Sequence, residues 1–275
     1  MNFKIVSDSS SNILTLSAVD YAAVSLKIIT ESKEYVDDCK LNVKQMTEEL
    51  YNNKGKSSTS CPNMQEWMDA FGDGNDVFAV TITSKLSGSY SSAVQAREEY
   101  IKKYPNAKAY VIDTLSAGPA MQLVIEKLEE CALNGIDFDK TEEIIEEYQK
   151  HVNLSVSLQS LMNLARNGRT SLAVAKIAGV LGIRIVGAAI DGELKPLHKC
   201  RGEKKALQTV KSELVKNGFN GGKVRIAHCF NEESANELKS MLLADFPNGD
   251  IEVSTCSGLC SYYAEKGGLM IGFEN

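Results

Sequence analysis

The sequence predicts an α/β protein in which a mainly parallel sheet carries helices on both faces. Three observations lead there. Val77-Phe-Ala-Val-Thr-Ile-Thr is an uncharged, β-branched run that reads as a buried strand. Beyond it, Ala93, Val94, Ala96 and Ile101 recur at helical spacing among Gln, Arg and Glu. The same order then returns, with Ala109-Tyr-Val-Ile as a strand, Asp113 to Pro119 as a polar turn and Ala120 to Leu133 as a helix with one apolar face. Strands and helices alternating at this length build parallel sheets. At 275 residues the chain has room for one large domain or two of ordinary size.

In chain order, Lys4-Ile-Val is a short strand running into Ser7, Asp8, Ser9, Ser10 and Ser11, of which Asp8 or one of Ser9, Ser10 and Ser11 can cap the next segment. Ala22 to Ile29 reads as one strand, followed by a charged loop with Tyr35, Asp37 and Asp38. Val43 to Asn52 reads as a helix, Ser57 to Asn63 as a polar turn, and Met64 to Phe71 as a helix with Pro62 at its start. Ile136 to His151 is an acidic helix whose glutamates form a solvated face. Leu154-Ser-Val-Ser-Leu alternates apolar and polar, the pattern of a half-exposed strand. The boundary is placed here, giving an N-terminal α/β domain over 1–152 and a C-terminal α/β domain over 153–275. The second half reads as helices over Leu158 to Arg166 and Leu172 to Leu181, then strand Arg184 to Ile190, the tight turn Asp191-Gly192 and the returning strand Leu194 to Cys200. Glu203 to Lys216 and Glu232 to Asp245 are helices, and Lys223 to Phe230, Ile251 to Cys256 and Leu269 to Phe273 are strands, with Gly258 to Glu265 a turn and short helix. Because this half contains a hairpin, its sheet is expected to be mixed.

Composition excludes several functions. The hydrophobic share of 43% and charged share of 24% are those of a soluble globular protein. A net charge of −6 argues against a nucleic-acid partner held by bulk electrostatics. No apolar run approaches the roughly 20 residues of a membrane span, and the N-terminus turns polar too early for a signal peptide; a cytoplasmic location with no stable membrane insertion is expected. Seven cysteines in irregular positions fit reduced thiols better than a disulfide framework. Cys256 and Cys260 have no second Cys/His pair at zinc spacing, so they read as small core residues, and no metal is expected.

The chemistry sits in the turns after Val6, Ile82 and Ile112, all at strand C-termini, where open α/β sheets bind ligands. Ile82-Thr-Ser-Lys-Leu-Ser-Gly-Ser-Tyr joins a strand to a helix N-terminus, and that geometry suits a phosphate or a carboxylate. The plain alternative is that these serines only cap helices. Catalysis lacks support: none of the three histidines lies in a motif with Ser, and there is no G-x-S-x-G, P-loop or G-x-G-x-x-G. Arg169, in Gly-Arg-Thr-Ser, can pair with a carboxylate or phosphate or can be a helix-flanking surface charge, and Arg201 stands in another polar turn.

Taken in order, several blocks resemble the DegV family of bacterial fatty-acid-binding proteins, of the type that serves as binding subunit to a fatty acid kinase. They are Ser7-Asp8-Ser9, Thr59-Ser60-x-Pro62, Ser84-x-Leu-Ser-Gly-Ser-Tyr90, Val111-Ile-Asp-Thr, Asn167-Gly-Arg-Thr-Ser, Asp191-Gly-x-Leu and Arg201 followed by Lys204-Lys205-Ala206. The resemblance implies a two-domain fold holding a long-chain fatty acid between the domains in an apolar tunnel, with no cofactor and no catalysis of its own. The carboxylate would be presented to a separate fatty acid kinase that makes an acyl-phosphate. By motif, Thr59 or Ser60, Ser87 and the Gly88 amide would hold the carboxylate, with Asp8 beside them. Arg169 would join that network or face the kinase, and Arg201 would belong to the docking surface. The chain departs from the family where many members carry His-x-Gly-Pro-Gly: here the segment reads Val253-Ser-Thr-Cys-Ser-Gly-Leu-Cys, and Ser254, Thr255 or Ser257 is the candidate substitute hydroxyl. The alternative reading is an enzyme acting on a small phosphorylated or carboxylated metabolite at the same crevice.

Overall fold

The structure, a computed structural model, describes residues 3–52, 55–178 and 182–275. Strands β1 (Lys4–Asp8), β2 (Tyr21–Val24), β3 (Lys27–Thr30) and β4 (Glu34–Val36) precede helix α1 (Val43–Asn52). Then come β5 (Ser57–Ser60), α2 (Met64–Phe71), β6 (Val77–Thr81), α3 (Ser89–Lys103), β7 (Ala109–Asp113), α4 (Pro119–Leu133) and α5 (Phe138–Tyr148). The second half runs β8 (Val152–Leu158), α6 (Met162–Arg166), α7 (Leu172–Ala178), β9 (Ile183–Ile190), β10 (Glu193–Arg201) and α8 (Glu203–Lys216). It closes with β11 (Lys223–His228), α9 (Glu232–Asp245), β12 (Asp250–Thr255), α10 (Gly258–Ala264) and β13 (Leu269–Glu274).

A four-stranded sheet in the order β2-β1-β6-β7 is parallel throughout. Its strands are covered on both faces, which is why β6 has no exposed residue and reads as a continuous apolar run. Trp67 and Phe71 of α2 and Ala93, Ala96 and Tyr100 of α3 pack on one face. Met121, Val124, Ile125 and Leu128 of α4, with Phe138 and Ile145 of α5, pack on the other. The second sheet has six strands in the order β10-β9-β8-β13-β11-β12 and is mixed, with only β11 and β12 parallel. Leu207, Val210 and Leu214 of α8 and Leu238 and Leu242 of α9 cover one face.

Helix α4 is the layer the two sheets share. An amphipathic surface helix buries one stripe, whereas α4 buries residues around most of its circumference, as a helix packed on two sides must. Its N-terminus lies hard against β13: a Cβ on Gly272 would come 2.4 Å from the Pro119 carbonyl carbon and 2.5 Å from the Ala120 nitrogen. Further along, Arg225 of β11 donates to both oxygens of Glu126 of α4, Nε to Oε1 at 2.7 Å and Nη2 to Oε2 at 2.8 Å. The paired geometry is what makes a buried guanidinium tolerable.

Four expectations need correction. Residues 22–29 are not one strand: the chain leaves the first sheet at Ser25-Leu26, where the Leu26 amide donates to Ser9 Oγ (3.0 Å), and β3 joins a separate three-stranded sheet, β4-β3-β5. Ser57–Ser60, expected as turn, is strand β5, paired antiparallel with β3. Main-chain pairing is indifferent to the hydroxyls that made the segment look like a turn. The alternating strand β8 is not half-exposed: Ser155 and Ser157 are buried because α8 packs over the face they point to, and Ser155 Oγ donates to the Gly187 carbonyl at 3.2 Å. The helix expected from Leu158 starts at Met162, and the end of the helix expected over 172–181 falls on 179–181, outside the described residues.

The close approach at Gly272 gives a direct test of the shared layer. Gly272→Ala is expected to lower stability in chemical denaturation by about 2–3 kcal/mol, since backbone cannot yield as a side chain can.

Candidate functional site

The site is organised from beneath by Asp8. Its Oδ1 accepts the Ser10 amide (3.2 Å) and the Ser10 hydroxyl, and its Oδ2 accepts the Ile82 amide (2.9 Å) and the Ser89 hydroxyl (2.7 Å). Asp8 is fully buried; burial pushes its pKa up, and these hydrogen bonds oppose that rise. One carboxylate thus fixes both ends of the turn between β6 and α3. Within the turn, the Ser87 amide donates to the Thr83 carbonyl at 3.3 Å and the Ser89 amide donates to Ser87 Oγ at 3.2 Å. Gly88 occupies the N-cap position of α3 and brings no side chain to that helix end. A Cβ there would come 3.2 Å from Cys61 Sγ, so the Ser87-Gly88 turn and the end of β5 stand against each other.

The six-stranded side reaches this turn at two places and the adjoining strand β5 at a third. Asp191 (φ 52°) and Gly192 (φ 80°) make the tight turn of the β9–β10 hairpin, and Thr83 Oγ1 donates to the Gly192 carbonyl at 2.9 Å. A Cβ at Gly192 would lie 2.5 Å from that same oxygen, so glycine is required by contact as well as by φ. Arg169 Nε donates to the Leu86 carbonyl at 3.1 Å, and its Nη1 to the Asn167 carbonyl. From α10, the Tyr263 hydroxyl and Thr59 Oγ1 share a hydrogen bond of 2.7 Å. Helix α10 is itself anchored by Asp37, whose carboxylate accepts the Gly258 amide (2.7 Å) and the Leu259 amide (2.9 Å). Burial pushes Asp37 up to about 6, against the pull of those helix N-terminal amides.

These contacts enclose a cavity of about 280 Å³. Thr59, Ser60, Ser87, Gly88, Arg169 and Tyr263 supply polar atoms to its wall. Most of the remainder is apolar, with Leu154, Val156, Leu158, Leu164, Leu194 and Met270 facing it from the second half of the chain. The structure therefore brings Thr59, Ser60, Ser87, Gly88 and Arg169 to one place. Asp8 lies below them as a brace and is not on the wall. Thr255 is exposed and off the wall, as is Ser254, because β12 is an edge strand pointing away from the cavity. Ser257 is buried but spends its hydroxyl on the Ser9 carbonyl (3.1 Å) and Asn12 Oδ1 (2.9 Å), so none of the three proposed substitute hydroxyls reaches the cavity. Arg201 is exposed at the end of β10 and also off the wall.

Tyr263 and Asp37 were missed by sequence reasoning. The adjacent Tyr262-Tyr263 pair on a short helix was the available signal for the first. The wall described here contains no histidine: His198 pairs with Glu213 at 2.9 Å, His151 lies 3.6 Å from Glu147, and His228 Nδ1 accepts the Asn231 amide at 3.3 Å. Among the described residues no cluster of His, Cys, Asp or Glu could hold a metal ion. No described helix is long and apolar enough to cross a membrane.

Two sheets clasping a shared helix, with a largely apolar cavity that meets hydroxyl-bearing turns, define an α/β protein with an enclosed cavity where its sheets meet. A family model described as an uncharacterised protein of the DegV family matches residues 2–275, and the chain belongs to the DegV family. A DegV domain-containing protein of Streptococcus pneumoniae is 38% identical over 279 residues, covering 100% of this chain and 99% of its own. Among solved structures, a DegV family protein from Eubacterium eligens loaded with heptadecanoic acid is 41% identical, with a TM-score of 0.96 and 99% of each chain covered. The Streptococcus pneumoniae fatty acid kinase B3 protein loaded with linoleic acid is 38% identical, with a TM-score of 0.97, covering 100% of this chain and 99% of that one.

The Asp37 anchor predicts a pH dependence of known sign. A carboxyl whose folded pKa stands near 6 binds its proton more tightly folded than unfolded, so its contribution is full below about pH 4 and is lost as pH rises through 6. In denaturant titrations, the stability of wild type relative to Asp37→Asn is expected to fall by up to about 3 kcal/mol between pH 4 and 6.5 and to stay level above that.

Proposed function

We propose that this protein binds a long-chain fatty acid in the cavity between its halves, 1–152 and 153–275, and presents the carboxylate to a partner fatty acid kinase for acyl-phosphate formation. The observation that carries the reading is the cavity itself: apolar over most of its wall, with Ser87 and Gly88 held on it by Asp8 and Arg169, and Thr59 and Ser60 brought there on β5. Whole-length relatives whose structures hold heptadecanoic and linoleic acid support the choice of ligand. Burying about fourteen methylenes at roughly 0.8 kcal/mol each favours binding by about 11 kcal/mol, of the order of the cost of association. With those two terms nearly offset, the head-group contacts set both orientation and much of the net affinity.

Ser87 and Thr59 offer hydroxyls, and the Gly88 turn offers backbone amides at a helix N-terminus, a combination suited to a carboxylate. Tyr263, bonded to Thr59, holds that hydroxyl in place. Arg169 has Nε and Nη1 committed to carbonyls, so it shapes the Leu86-Ser87 turn and adds positive potential without a bidentate ion pair through that edge. A carboxylate held by neutral donors keeps a nucleophilic oxygen for phosphorylation. Arg201, exposed outside the cavity, belongs to the kinase-docking face in this reading. The chain needs no catalytic group of its own and no cofactor for this role.

Native mass spectrometry of protein purified under mild conditions is expected to find a bound mass matching a C16–C18 fatty acid; repeated absence would contradict the reading. With delipidated protein, Ser87→Ala is expected to weaken palmitate binding ten- to hundredfold, the size of a lost hydrogen bond to a charged group. Tyr263→Phe acts one step removed and is expected to weaken it three- to tenfold while leaving the fold intact by circular dichroism.

A further inference from the structure

Arg169 owes its place at the head-group turn to the short helix before it and to what that helix rests on. It lies just past α6, and its amide donates to the Leu164 carbonyl at 2.8 Å, with Gly168 (φ 75°) turning the chain between them. Helix α6 has five residues, too few to hold a position alone. It is tied at both ends to α10 and its flank. The Asn163 amide donates to Glu265 Oε1 at 3.0 Å, and Asn163 Nδ2 donates to the Tyr262 carbonyl at 2.8 Å. At the far end Asn167 Nδ2 donates to the Tyr262 hydroxyl at 2.9 Å, and that hydroxyl shares a 2.8 Å hydrogen bond with Ser57 Oγ of β5. The Asn167 carbonyl in turn accepts Arg169 Nη1. Tyr262 is 2% exposed, and neither it nor Asn167 is on the cavity wall.

We propose that Tyr262 is a positioning residue for the fatty-acid carboxylate, acting through Asn167 and Arg169 and not by touching the ligand. The inference rests on the fatty-acid reading of this cavity. Arg169 Nε donates to the Leu86 carbonyl at 3.1 Å, immediately before Ser87, so a shift of the Asn167 carbonyl moves the guanidinium against the turn that carries the head-group hydroxyl. The Arg169 charge is felt at that end of the cavity: burial pushes the Tyr263 hydroxyl up, and the Thr59 hydrogen bond and then the Arg169 charge oppose the rise. Without the Tyr262 hydroxyl, Asn167 Nδ2 keeps the Asn163 carbonyl (2.8 Å), but the link from Ser57 to the end of α6 is broken. A displaced charge weakens a charged head group far more than a neutral one on the same chain. The adjacent tyrosines of α10 thus serve two parts of one site, Tyr263 holding Thr59 and Tyr262 holding Arg169.

The test uses the delipidated full chain and compares palmitate with hexadecanol, which has the same chain length and no charge. Tyr262→Phe is expected to lower the palmitate-to-hexadecanol affinity ratio about threefold, whereas a loss of packing alone would weaken both ligands alike. In an Arg169→Gln background the same change is expected to leave the ratio within about 1.5-fold, since the residue through which Tyr262 acts is gone. If Tyr262→Phe loses its fold by circular dichroism, Asn167→Ala removes the same bond from the other end and carries the comparison. The inference is overturned if Tyr262→Phe, or Asn167→Ala in its place, leaves the ratio unchanged, or if the ratio falls as far in the Arg169→Gln background as in the wild type. Failure of palmitate to bind the wild type would instead remove the fatty-acid reading on which the inference stands.

Discussion

The buried carboxylate of Asp8 is the interaction on which the rest of the site depends. An isolated carboxylate in this interior would be costly, and it is tolerated because Ile82, Ser89 and Ser10 all donate to it. Those donors stand at the two ends of the turn from Ile82 to Ser89 and on the turn after β1. Two loops that an open parallel sheet would leave independent are thereby tied at its C-terminal edge. The result is rigidity where a ligand head group needs it, since Ser87 and Gly88 hang from a turn whose two ends cannot drift apart.

The second constraint is that both halves must meet around the same space. Helix α4 serves as shared core for both sheets, with Gly272 permitting backbone contact on one side and Met121 to Leu128 filling the parallel sheet's core on the other. The cavity is closed from the six-stranded side by short polar bonds made to the first half: Thr83 to Gly192, Arg169 to Leu86, Thr59 to Tyr263 and Asp37 to the start of α10. Each such bond joins residues far apart in sequence. The apolar side chains between them pack on one another and turn their remaining face to the enclosed space.

Much of the fold was legible in the residues because periodicity reports burial directly. The β6–turn–α3 unit, the Asp191-Gly192 hairpin and helices Val43–Asn52, Met64–Phe71, Glu203–Lys216 and Glu232–Asp245 all appear where the pattern places them. The failures share one cause: long-range contacts overrode local composition. Ser57–Ser60 looks like a turn and becomes a strand because β3 offers an edge, and Ser155 and Ser157 look solvent-facing but lie beneath α8. In the site, hydroxyls in motif blocks could be found, whereas Thr255 failed because edge strand β12 points it outward. Tyr263 is marked in the sequence only by the adjacent Tyr262-Tyr263 pair, and the meeting of α10 with β5 gives it its role.

The central claim is that the hydroxyl-lined turns of one half and the apolar wall of the other hold a single fatty acid with its head at Ser87. A crystal structure of the protein loaded with palmitic acid tests this most directly. The account predicts the carboxylate within hydrogen-bond distance of Ser87 and Thr59, with the chain running along Val156, Leu158 and Met270. A carboxylate bound elsewhere, or a cavity that stays empty at saturating palmitate, would contradict it.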